Sequence, residues 1–187
     1  MDNCRVKGQP VPSSLIHEMV DSASLLDSPT ALRARLAEDG YLYLKGVVDK
    51  DAIMAARQEV FERLVKVGEI REPAIDGIAT GDSRRKELEP DLGAFWRSIS
   101  EGRKLRAASN GRDMQRIMSL IFGEPARNQD YIFLRAGALG RATGLHFDYP
   151  FFTRAHDKVN TVWMPIGDVP VEDGPVVVVE EIGRAHV

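Results

Sequence analysis

Apolar residues recur at helical spacing through the first part of the chain. They give way to short β-branched and aromatic runs in the last part. The lead up to Ser14, with Pro10 and Pro12, has no periodic pattern, and a short helix is predicted over residues 15–20. Asp27-Ser28-Pro29 then sets a small polar cap before a proline at the first helical position, where no N–H is needed. It predicts a helix to Glu38 that stops at Gly40, with Leu32 and Leu36 on its inner face. Residues 41–44 alternate in character and predict a strand. Asp49 or Asp51 caps a longer helix to Val67, whose apolar stripe is Ile53, Ala56, Val60, Phe61 and Leu64. Residues 68–90 are polar and are expected to form a surface loop or lid, with Arg84-Arg85-Lys86 as a solvated charge run. Helices are predicted over 92–100 and 113–122, the second with Ile117, Leu120 and Ile121 on its apolar face.

Three strand-like runs follow, at residues 131–134, 160–166 and 176–179, separated by glycines and by the Asp173-Gly174 turn. Helices first and short strands later predict an α+β domain whose second half begins an antiparallel barrel or sandwich. Composition leaves that picture intact. The 187 residues suffice for one domain with a core, and 43% hydrophobic with 28% charged residues is ordinary globular usage. A net charge of −3 gives no basic excess for nucleic acid and no one-sided field for a membrane surface. The single cysteine, Cys4, excludes a disulfide framework, and the N-terminal residues do not form a secretory signal. The longest apolar run, residues 175–179, is too short to span a bilayer, so a cytoplasmic protein is expected. Oligomeric state is not legible.

The candidate chemistry sits at His146-Phe147-Asp148. On a strand, residues i and i+2 share a face, which sets an imidazole beside a carboxylate. Such a pair supplies two ligands of a 2-His-1-carboxylate facial triad. Alone the triplet is a weak signal, and a His–Asp hydrogen bond at a strand end is the plain alternative. Its surroundings add to it. The segment from Leu134-Arg135-Ala136-Gly137 to Ala142-Thr143-Gly144-Leu145-His146-Phe147-Asp148-Tyr149 resembles the metal-binding segment of the phytanoyl-CoA dioxygenase family. Residues 161–170, 173–180 and 39–47 are similar to further blocks of that family.

The resemblance implies a double-stranded β-helix (a jelly roll, cupin-like) flanked by N-terminal helices. It implies an Fe(II)/2-oxoglutarate-dependent dioxygenase that hydroxylates a small organic substrate with O₂ and releases succinate. His146 and Asp148 would be iron ligands, with no catalytic residue beyond the ligands. Trp163 matches a position that lines the cosubstrate pocket, against the alternative of a core tryptophan. Arg135 either faces that pocket or braces a strand, and Thr143 either bonds near the cosubstrate or closes its own turn.

The resemblance also implies a distal histidine and a basic residue, usually arginine, for the far carboxylate of 2-oxoglutarate. His156 lies in a polar stretch, and His186 is only 38 residues beyond Asp148, less than the family separation. The last six residues, Ile182-Gly183-Arg184-Ala185-His186-Val187, translate ATCGGAAGAGCACACGTC, which matches a common sequencing adapter. Residues 1–181 are therefore expected to be a partial dioxygenase-like domain with an incomplete barrel, and residues 182–187 a non-native tail. Such a fragment is expected to be inactive and poorly soluble. The rival from another class is a non-catalytic jelly-roll binding or regulatory relative without the metal site.

Overall fold

The structure, a computed structural model, describes residues 5–6, 9–134, 143–146, 148 and 158–180. Its helices are α1 (Pro29–Asp39), α2 (Lys50–Lys66), α3 (Arg85–Leu88), α4 (Leu92–Ser100), α5 (Arg103–Ser109) and α6 (Arg112–Phe122). Two strands, β1 (Arg5–Val6) and β2 (Gln9–Pro10), pair antiparallel with Arg5 opposite Pro10. No helix among the described residues is long and apolar enough to cross a membrane. Two compact units divide the chain: Met1–Lys45, Ala136–Trp163 and Pro170–Val187 form one, Gly46–Arg135 and Met164–Val169 the other.

In the first unit, α1 begins with proline in its first turn and ends at Gly40, whose φ of 78° is the left-handed conformation that glycine adopts without strain. Leu32 is fully buried and Leu36 half-buried, as the spacing predicts. The helix predicted over 15–20 is instead a 3-10 turn at Ser13–Leu15, and a second 3-10 turn spans Ala23–Asp27. The strand predicted over 41–44 reduces to one parallel bridge between Tyr43 and Asp21. The Asp21 carboxylate accepts the N–H groups of Ala23 (3.0 Å) and Lys45 (3.3 Å).

In the second unit α2 is the hub. Its N-cap Asp49 accepts the Ala52 N–H at 2.9 Å. Ala56, Val60 and Leu64 are buried against Phe95, Ile99, Leu105 and Ala108, with Ile53 and Phe61 packed at the edge. The Glu59 carboxylate on the same helix accepts the N–H groups of Lys104 (2.8 Å) and Leu105 (3.0 Å), the orphan donors of the first turn of α5. Arg57 donates to the carbonyls of Ile75 (2.6 Å), Asp76 (2.7 Å) and Ile166 (3.2 Å) and stacks over the Phe61 ring. A Cβ on Gly77 or Gly167 would displace its guanidinium, and Gly77 also sits at a left-handed φ of 68° that favours glycine.

Residues 68–90 are more ordered than a solvated loop. Arg71 and Thr80 donate backbone bonds to Ile78 and Glu69, an antiparallel bridge joins Ile70 to Ala79, and Ile70 and Ala74 are buried. Arg85 is not simply solvated either. It pairs with Glu69 and lies over Trp96 with its guanidinium carbon 4.4 Å from the ring centroid. On α6 the buried face is Met114, Ile117 and Met118, shifted toward the N-terminus from the predicted set, with Leu120 and Ile121 half-buried.

The double-stranded β-helix is overturned for the described residues. Helices dominate them, and their sheet is the β1–β2 pair of two-residue strands. Residues 131–134 do alternate: Ile132 and Leu134 pack on the core, while Tyr131 and Phe133 are exposed with their rings edge to face. Residues 160–166 and 176–179 have the predicted composition but no ladder. A strand exists only through bonds to a second strand. β-Propensity in one segment cannot supply that partner, and no described segment pairs with these three.

Replacing Arg57 by methionine leaves three carbonyls without their donor while keeping most of the stem volume. A loss of about 2–3 kcal/mol is expected in urea unfolding; an unchanged midpoint would show that the clamp is dispensable. Bonds from Ala23 and Ala94 N–H groups hold the Asp21 and Asp91 carboxyls below the ordinary 3.8. Their folded-state values are depressed, so their contribution is present above 3.8 and fades as pH falls through those values. A double Asp21→Asn, Asp91→Asn variant should melt below the parent at neutral pH, and the gap should close in acid.

Candidate functional site

The site is built around His146 and Asp148. In the described residues this segment is irregular rather than a strand, yet the pair still meets: His146 Nε2 lies 3.5 Å from Asp148 Oδ1. Each side chain is held through its far atom. His146 Nδ1 is 2.7 Å from the Gly144 carbonyl oxygen. A carbonyl can only accept, so Nδ1 carries the proton and, in the neutral ring, Nε2 carries the lone pair. The Thr161 hydroxyl donates to Asp148 Oδ2 at 2.6 Å, the short length of a charge-assisted bond.

Two lone-pair donors, Nε2 and Oδ1, therefore face one another. With the ring neutral both atoms are electron-pair donors, and with the ring protonated the same contact is an ion pair. Donors about 2.1 Å from an octahedral ion lie about 3.0 Å apart along an edge. The 3.5 Å separation is within about half an ångström of that spacing. The donor set, one imidazole and one carboxylate, is the type that non-haem iron takes. The side chains are 49% and 35% exposed.

Among the described residues no group of three or more His, Cys, Asp or Glu side chains could hold a metal ion. Among the described residues His146 and Asp148 therefore stand as a pair. His156 and His186, weighed for the third position, lie outside the described residues, as do Arg135, Cys4 and residues 182–187. Thr143 is described and exposed. Trp163 is 51% exposed. Sequence reasoning missed Thr161. It opens the second family-like block, two residues before Trp163, but no local spacing links it to Asp148 thirteen positions earlier.

The family profile of the phytanoyl-CoA dioxygenases (PhyH) matches residues 36–180. The chain belongs to the phytanoyl-CoA dioxygenase family. The match contains His146, Asp148, Thr161 and Trp163 and takes in both compact units. Members of the phytanoyl-CoA dioxygenase family are generally Fe(II)/2-oxoglutarate oxygenases, which fits the donor types that meet here. No solved structure gives a significant match to the chain.

The His146 geometry has a direct check. Long-range ¹⁵N–¹H NMR of the neutral ring should find the proton on Nδ1. A proton on Nε2 would mean that the Gly144 contact does not set the tautomer.

Proposed function

We propose that this protein is an Fe(II)/2-oxoglutarate-dependent dioxygenase acting on a small organic substrate with O₂. The observation that carries the reading is the convergence of His146 Nε2 and Asp148 Oδ1, at 3.5 Å, inside the matched family region. Bound Fe(II) would supply the means to activate O₂ with oxidative decarboxylation of 2-oxoglutarate. This chain's own residues bind and orient. His146 and Asp148 hold the ion, Gly144 sets the imidazole, and Thr161 sets the carboxylate.

Trp163 is assigned to the wall of the cosubstrate site, its exposed ring being free to cover a bound dicarboxylate. Thr143 and Arg135 are assigned to the same cosubstrate. The distal histidine and the arginine for the far carboxylate lie outside the described residues in this reading. We place the protein in the cytoplasm, in line with its single cysteine.

Sequencing the gene across the codon for Glu180 and assaying its product tests the whole. A downstream histidine and arginine are expected in place of residues 182–187. The product should release succinate from 2-oxoglutarate only with Fe(II) and O₂, and His146→Ala should lower that rate at least about a hundredfold. A product with no Fe(II)-dependent turnover would make the protein a non-catalytic member of its family.

A further inference from the structure

We propose that Thr161 is a positioning residue of the metal pair: its hydroxyl engages Asp148 Oδ2 and so reserves Oδ1 for an ion beside His146 Nε2. The inference rests on the reading of His146 and Asp148 as ligands. A carboxylate presents two equivalent oxygens and turns easily about its last bond. Left alone, Asp148 can offer either oxygen, or both at once. A chelating carboxylate takes two positions on an ion, and a facial site must keep three open for cosubstrate and O₂.

The geometry removes that freedom. Thr161 Oγ1 is 2.6 Å from Oδ2, while Oδ1 is the oxygen 3.5 Å from His146 Nε2. The two oxygens thus have different partners, and only one faces the imidazole. A β-branched side chain is stiff at χ1, so the threonine hydroxyl is aimed before any ion arrives. Gly144 does the same for the imidazole by holding Nδ1 at 2.7 Å. Outer partners of this kind fix the ligand's orientation and raise its affinity for metal.

Thr161 is exposed, so removing its hydroxyl leaves no cavity in a core. The test is Mn(II) binding to the full-length product of the sequenced gene, followed by electron paramagnetic resonance under anaerobic conditions, with the visible spectrum of the Co(II) form as a signature of carboxylate mode. Thr161→Val and Thr161→Ala should each raise the Mn(II) Kd about tenfold and shift the Co(II) bands. Their thermal midpoints should stay at the parent value. Thr161→Ser, which restores the hydroxyl, should return the Kd to within about threefold of the parent.

Equal Kd values for the parent and both hydroxyl-free variants, with binding lost in His146→Ala, would overturn the role of Thr161 and leave the ligand pair standing. A serine variant as weak as valine would overturn it too, because the hydroxyl would then not be the active group. Parent and His146→Ala chains that bind Mn(II) alike would overturn the ligand pair, and the role of Thr161 with it.

Discussion

The second unit depends on one cation placed among backbone carbonyls. Arg57 projects from the middle of α2 and donates to Ile75, Asp76 and Ile166, oxygens drawn from two segments far apart in sequence. The bonds to Ile75 and Ile166 are part-buried, so loss of the donor there carries some desolvation cost, while the Asp76 carbonyl is exposed. This clamp constrains the backbone around it. A Cβ on Gly77 or Gly167 would displace the guanidinium from its place. With residues 75–76 held, the segment before them folds back, and Ile70 and Ala74 are buried. That in turn brings Glu69 to Arg85, whose guanidinium covers Trp96.

Helix ends are legible where the signal lies beside them. Pro29 and Gly40 bracket α1, Asp49 caps α2 and Asp91 caps α4, each within a few residues of the element it bounds. Helix α5 has no such local signal, because its first-turn donors are satisfied by Glu59, more than forty residues away. The charge run at 84–86 misleads for the same reason. Neighbours along the chain show three cations, but not Glu69 or the Trp96 ring. The strands fail in another way. Alternation at 131–134 correctly tells which side chains face the core, yet a ladder is a long-range pairing that the pattern of one segment cannot guarantee.

The candidate site divides along the same line. His146 and Asp148 are legible as a pair because a two-residue spacing keeps them close even in an irregular segment. Family-like blocks around them carry the assignment to an oxygenase family, which the profile match over residues 36–180 supports. Thr161 is invisible in the sequence, since a hydroxyl becomes specific only when the fold brings a carboxylate to it.

Anchoring through the far atom is what makes the exposed pair more than a surface contact. An isolated exposed His–Asp pair contributes little and is readily replaced by water. Here Nδ1 is committed to Gly144 and Oδ2 to Thr161, so rotation of either side chain costs a hydrogen bond. The atoms left over, Nε2 and Oδ1, are both electron-pair donors and gain nothing from each other while the ring is neutral. In the protonated ring the same approach is an ion pair. Preorganised donors of this kind lower the ordering cost of taking up an ion.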